Sequence, residues 1–427
     1  MMCRFLMACC IAACLKGQKN PMELLRRVQQ KVTDSLDRVP KYMCTETIDR
    51  TQYQPEKPGS GMACDEWSKP GLYPIVSDRL RLDVAMAASG EIFSWSGESQ
   101  FDDRDLFGIV RGGAISTGSF ASFLATIFRG DEASFTYNGD THDAGGRVLS
   151  EFGFRVPFER SHYYYGEGAH RVTTGYGGTF RVDSKTADLV HLEVMTLRLP
   201  AVTAACRAST TLDYSQVRMK DIDFLLPSAS LLRIDRIDGS IAENRTAFSN
   251  CHEFLGESTI SFGDPPPSEP AAPARSAPPV MIPPGLPFRI VLTQTINVNE
   301  AAAGDRVNAR LSSSIKDGEK VLVHSGASVQ ARIVRIQRSY GSNAGVTLDL
   351  KLETVTARGV AVRLVAAPEV EDKFEKSGNS TLQRRVELGT LLALEDRAAS
   401  LFFRGHGIAR LNINGAESEW RTAEPPK

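Results

Sequence analysis

The sequence predicts a mainly β (α+β) protein made of two β-rich parts joined by a proline-rich linker. Three observations predict it. Apolar and polar residues alternate with a period of two over most of the chain. Helical spacing is confined to two short stretches. Residues 264–287 hold ten of the chain's 22 prolines, a run that favours extended polyproline II and has no core.

Taken in order, residues 1–19 read as an export segment and 20–263 as an antiparallel β domain. The linker follows at 264–287, and a compact β meander or small barrel at 288–424. In the first domain, Leu25, Val28, Val32 and Leu36 form one apolar stripe, and Pro40 ends that helix. Leu80, Leu82, Val84 and Met86 alternate with polar neighbours, and Ser89-Gly90 turns the chain into Glu91–Trp95. A second helix is expected over Phe120–Phe128, capped by Thr117 or Ser119 and closed by Gly130. Strands follow at 133–137 with Asn138-Gly139 as a turn, then at 152–156, 179–182, 190–195, 210–219, 224–226 and 231–237, in a simple meander. Strands in the second domain begin near Ile290, Val307, Val321, Val329, Val346, Val360, Leu401 and Ala409.

Lys+Arg 50 against Asp+Glu 51 gives no basic excess, so nucleic acid is not an expected partner. No internal apolar run is long enough for a spanning helix. The apolar segment Phe5–Ala13 ends in Ile11-Ala12-Ala13-Cys14, which resembles the bacterial lipobox. That resemblance implies lipidation of Cys14, with a lipid anchor holding the chain to a membrane in the periplasm or at the outer membrane. Cys44, Cys64, Cys206 and Cys251 remain in the mature part, an even number that reads as disulfides in an oxidising compartment. Four cysteines allow three connectivities, and the meander order favours Cys44–Cys64 with Cys206–Cys251. With no Cys-x-x-Cys pair, zinc and thioredoxin chemistry lack support.

The remaining constellations are weak. His162, Glu167 and His170 lie in a tyrosine-rich stretch at no ligand spacing. Asp102, Asp103 and Asp105 cluster without a calcium-loop glycine. Gly112–Gly118 is glycine-rich ahead of a helix but lacks the P-loop lysine, and reads as a flexible lead-in. No Gly-x-Ser-x-Gly elbow occurs. No catalytic residues, cofactor or metal are expected.

Two resemblances add to this. Gly178–Glu193, with Asp183-Ser184-Lys185-Thr186 at its turn, is similar to a hairpin of lipoprotein-sorting proteins of the LolA/LppX type. That family implies a curved antiparallel half-barrel with packed helices, covering a cavity for acyl chains. Ala303–Val307 followed by Ser325–Val329 is similar to β-barrel modules of the VirB10/TrbI type, with His324 near the usual proline position. Tyr42–Ile48 and Gly256–Phe262 also resemble exported acidobacterial proteins without an assigned activity. The expected function is a non-catalytic envelope binding or assembly module, with a lipid or an envelope protein as partner. The alternatives are a periplasmic acyl-chain carrier and an unrecognised hydrolase.

Overall fold

The computed structural model describes residues 20–38, 42–56, 64, 71–87, 90–98, 101, 106–110, 112–119, 122–166, 171–219, 222–253, 281–369, 382–385 and 397–424. The lipobox with Cys14, the aspartates at 102–105, Glu167, His170, 256–262 and most of the linker lie outside them.

Helix α1 (Pro21–Arg38) starts where the sequence signals it. The Asn20 side chain accepts the Met22 N–H at 3.1 Å, and Pro21 takes the first helical position, where its missing N–H costs nothing. Leu24, Leu25, Val28 and Val32 are its buried stripe. The main strands of the first part are β1 (Tyr42–Pro55), β2 (Leu72–Ala87), β3 (Gly90–Trp95), β4 (Ser134–His142), β5 (Val148–Val156), β6 (Tyr176–Asp183), β7 (Leu189–Thr196), β8 (Ala205–Met219), β9 (Ile222–Arg236) and β10 (Ile241–Glu253). All pair antiparallel, in the spatial order β3-β2-β1-β10-β9-β8-β7-β6-β5-β4. They form a half-barrel whose concave face carries α1, helix α2 (Leu106–Ile109) and a helical turn, Ser122–Leu124, that runs into a π-turn, Ala125–Arg129.

The order departs from the expected meander at one place: β1 lies between β2 and β10. This decides the disulfides. Cys44 bonds Cys251, joining β1 to β10 where the register skips from Met43↔His252 to Thr45↔Ser249 and Asn250 takes a left-handed φ of 51°. Cys64 bonds Cys206, tying the β1–β2 connection to the start of β8. The expected pairing was wrong on both counts. Strand β9 stands between β8 and β10, and two strand spacings of about 4.8 Å exceed the roughly 7 Å reach of a disulfide.

Two local expectations also change. Asn138-Gly139 is a bulge inside β4, and the chain turns instead at Asp143–Gly146, where Asp143 Oδ1 accepts the N–H groups of Gly145 and Arg147, each at 2.9 Å. Pro227-Ser228 does not break β9; Ser228 is skipped in its register with β8 and the strand continues.

The second part contains β11 (Pro287–Leu292), β12 (Arg306–Leu311), β13 (Ser328–Ser339), β14 (Gly345–Ala357), β15 (Val360–Arg363), β16 (Ala366–Pro368), β17 (Ala399–Arg404) and β18 (Glu417–Thr422). The order is β16-β18-β11-β12-β13-β14-β17, with β15 on the far end of β14. These strands curl round Phe288, Ile290, Val307, Leu348, Leu350 and Trp420. At Leu364 and Val365 the chain passes from β15, paired with β14, to β16, paired with β18; Leu364 N–H donates to the Glu353 carbonyl and Ala423 N–H to the Val365 carbonyl, each at 2.8 Å, and the strands form a strongly curled sheet. The end of the proline-rich stretch already belongs here: Leu286 N–H donates to Thr422 Oγ1 at 2.8 Å.

The two parts share one sheet. Strand β13 pairs with β2 through Gln337↔Asp78, Arg338↔Ser77 and Ser339↔Val76. The turn before β12 clamps β2 from the side. Arg81 N–H donates to the Ala303 carbonyl at 2.7 Å, and Ala303 N–H to the Arg79 carbonyl at 2.8 Å. Gly304 has φ +108°, and a Cβ there would lie 2.2 Å from the Arg81 carbonyl oxygen. Arg332 completes the junction. Its side chain is 1% exposed, and all five N–H donors are used. They reach Glu353 and Glu98, the Gly304 carbonyl at 2.6 Å and the Ser96 carbonyl at 3.3 Å.

Peptide mapping of the unreduced protein should therefore recover Cys44–Cys251 and Cys64–Cys206; a Cys206–Cys251 peptide would contradict the strand order. Arg332→Met strands two carboxylates at the junction. It should cost about 3 kcal/mol in denaturant unfolding, and Gly304→Ala should open the same junction to proteases.

Candidate functional site

Strand register places a line of polar residues on one face of the shared sheet. Asn244 on β10, Arg50 on β1 and Asp78 on β2 are direct cross-strand partners. Asp78 is in turn opposite Gln337 on β13. Two residues earlier on β13, Arg335 stands opposite Asp349 on β14, which stands opposite Ser400 on β17. Directly opposed residues point to the same side of a sheet.

A bulge makes this possible. The register of β13 against β14 skips Val334, so Ile333 and Ile336 both enter the core of the second part while Arg332 and Arg335 both face the first. Without the extra residue, Arg335 would share the face of Ile333 and point into that core.

Above this line is a cavity of about 570 Å³ between the two parts. Arg50, Asp78, Asn244, Gln337, Arg335, Asp349 and Ser400 line it, with Trp95 and Leu80 as an apolar wall and Arg236 at the end of β9. Most of its charges are matched. Arg50 holds Asp78 through two bonds, at 2.7 and 2.5 Å, and donates to the Gly112 carbonyl at 2.8 Å. Arg335 Nε donates to Asp349 Oδ2 at 2.6 Å. Two groups are not matched: Arg236 Nη1 and Asp349 Oδ1 are buried and have no hydrogen-bond partner.

The glycine-rich stretch roofs one side. Gly112 and Gly113 have φ of 63° and 76°, and a Cβ on Gly113 would press on Arg50 Nη1 at 2.8 Å. Asn244 Nδ2 donates to the Ala114 carbonyl at 2.8 Å, and Gly118 N–H donates to Glu91 Oε2 at 2.6 Å. The stretch read as a flexible lead-in is thus a fixed wall. Its glycines let the backbone lie close against the Arg50 guanidinium.

The other residues singled out in the sequence lie elsewhere. Cys44, Cys64, Cys206 and Cys251 are cross-links and do not line the cavity. His162 is exposed, and His191 Nδ1 is 2.7 Å from Asp213 on the β7–β8 surface. Among the described residues, no three His, Cys, Asp or Glu side chains group as metal ligands. Arg236, Asp349 and Trp95 carried no sequence signal, because only the register and the β13 bulge bring them together.

No family model and no curated protein sequence matches the chain. Solved structures that resemble it include two of low identity. A DUF1329 family protein from Desulfovibrio piger is 14% identical with a TM-score of 0.27, covering 56% of this chain and 95% of that one. A LolA superfamily protein from Nitrosomonas europaea is 11% identical with a TM-score of 0.23, covering 52% and 92%. At such scores the likenesses carry no functional argument, and the geometry of the chain itself has to supply it.

Of the buried acids outside the cavity, Glu46, Asp83, Asp183 and Asp235, the first sits in apolar surroundings. Glu46 on β1 faces the apolar cluster of Cys44, Ile48, Leu82 and Val84. Desolvation first, and Glu91 second, push its carboxyl well above the usual carboxylate range. The folded state therefore holds a proton that the unfolded chain gives up above about pH 4.5. This contribution is complete at acid pH and is lost as pH rises toward the folded value, by up to about 1.4 kcal/mol per pH unit. Glu46→Gln should flatten that slope and raise the unfolding free energy at pH 7, as read by urea titrations at pH 4.5 and 7. An unchanged slope would mean that Glu46 is ionised in the fold.

Proposed function

We propose that the chain is a non-catalytic, exported binding module that holds a small polar ligand between its two β-rich parts. One observation carries this reading: the cavity between the two parts is walled by the polar side chains of Arg50, Asp78, Asn244, Gln337, Arg335 and Ser400, which the strand register sets on one face. The volume, about 570 Å³, falls within the roughly 300–1,000 Å³ of small-molecule sites, and a junction between domains is a common place for them.

Export is supported by the two disulfides, which persist in oxidising compartments. Within this reading Cys14 carries the lipid that holds the module to a membrane, where an envelope protein is a further partner. The acyl-chain carrier draws support from the half-barrel architecture. It needs a wide apolar space under the concave face, and there the described residues are packed. Phe152 stacks on Phe180 at 5.3 Å, Phe128 meets Phe180 edge-on at 5.0 Å, and α1 closes over them.

A thermal-shift screen of the full chain against small polar metabolites and fatty acids tests the reading. The expected result is a raised Tm with a polar compound, corresponding to about 2.7 kcal/mol at a hundred times its Kd. Ser400→Trp, which fills the cavity, should abolish the shift. Stabilisation by fatty acids alone, unaffected by Ser400→Trp, would transfer the function to the half-barrel. Separately, incorporation of a fatty-acid label by the exported protein should disappear in Cys14→Ala.

A further inference from the structure

We infer that the Cys64–Cys206 bond is a site of thiol–disulfide exchange, opened by a dithiol reductant, and that its state governs the end of β9; this goes beyond the binding-module reading and involves no ligand. The two disulfides differ in their surroundings. Cys44 is fully buried in the apolar cluster of Ile48, Leu82 and Val84, and Cys251 is half-buried against that cluster. Cys64 is exposed, and Cys206 is half-buried. Exchange requires an attacking thiolate to reach a sulfur, so access selects Cys64. The thiolate bonds Cys64 Sγ and expels Cys206 as a thiolate, which takes up a proton. The second thiol of the reductant then displaces Cys64 and closes the reductant's own disulfide. Two electrons pass to the chain, and both cysteines end as thiols.

The two bonds also stand differently in the sheet. Cys44–Cys251 lies inside the β1–β10 seam. Cys64 lies in the connection between β1 and β2, and Cys206 has no opposite residue on β9. The ladders that hold β1 to β2 and β10, and β8 to β7 and β9, make no use of the bond. A bond outside every ladder can open without changing the strand order. Its effect is local. The register of β8 skips Cys206 between Ala205↔Arg236 and Arg207↔Asp235, and Ala204 before it takes a left-handed φ of 51°. The Ala204 carbonyl accepts the Ile237 N–H at 3.2 Å, and Arg207 holds the fully buried Asp235 at 2.9 Å. The bulge pinned by the disulfide therefore holds the end of β9, where Arg236 lines the cavity.

Graded reduction of the folded full chain tests this. Dithiothreitol is added, and samples taken over time are alkylated with iodoacetamide and mapped by mass spectrometry. Cys64 and Cys206 should be alkylated about tenfold faster, or more, than Cys44 and Cys251. With only that bond open, far-UV circular dichroism should be unchanged, and amide exchange should rise at 204–209 and 235–238 but not at 44–50. The double variant Cys64→Ser, Cys206→Ser should fold, keep Cys44–Cys251 and show the same exchange pattern without reductant. Equal opening rates for the two bonds, or earlier opening of Cys44–Cys251, overturn the inference. Loss of the fold in the double variant does so too, since it makes the bond structural. Unchanged amide exchange with the bond open overturns the effect on β9. Each of these outcomes leaves the binding-module reading standing, which the ligand screen decides.

Discussion

The guanidinium of Arg332 is the interaction on which the arrangement of the two parts depends. It is buried, yet every donor is matched, by Glu353 from its own sheet and by Glu98, Ser96 and Gly304 from both sides of the junction. A buried charge is tolerated only when its bonds are complete, so the junction has one geometry in which Arg332 is at rest. Arg81 with Asp305, and Gly304 pressed on the Arg81 carbonyl, hold the same geometry from the next strand. The cavity exists only between surfaces fixed in this way.

The legible part of the fold is the part governed by local chemistry. Asn20-Pro21 starts α1, Asp238-Gly239 turns β9 into β10, and Gly359 turns β14 into β15, because capping and positive φ are properties of a few neighbouring residues. The half-barrel, expected from the hairpin around Asp183, is present; its turn is closed by Asp183 Oδ1 accepting the N–H groups of Lys185 and Thr186 at 2.8 and 2.9 Å. Bulges were illegible. Asn138-Gly139 has the composition of a hairpin turn and is a bulge, while Val334 looks like any core valine and is the residue that changes which side of β13 faces inward. A bulge depends on the partner strand, which no local pattern names. The candidate site was illegible for the same reason. Its residues come from β1, β2, β3, β9, β10, β13, β14 and β17, and of them only the glycines at Gly112–Gly118 had been weighed as a binding feature.

The position of β1 has consequences beyond the disulfides. Strands β4 to β10 form consecutive hairpins, each of which can zip from its turn. Strand β1 must find β10 across a separation of 207 residues at Cys44–Cys251. Contacts of that separation form late, since loop closure precedes any return in bonding. Arg50 on β1 and Asn244 on β10 face each other across this late seam. The polar line of the cavity is therefore completed only when the half-barrel is, and the disulfide beside it keeps the seam closed once made.

The division of labour inside the half-barrel follows from the same seam. Over β5 to β8 the concave face is covered by α1 and filled with aromatic side chains, which makes that half a packed core. Over β10, β1 and β2 the covering elements are short, α2 and the glycine-rich wall, and the face changes from apolar at Cys44 and Ile48 to polar at Arg50. The second part abuts the sheet at that polar end, through β2. A packed half gives the rigidity, and a thinly covered half bordered by a second sheet leaves the space. Arg50 shows what the register achieves at that end: set opposite Asp78 and Asn244, its guanidinium is held in one geometry by Asp78 and the Gly112 carbonyl.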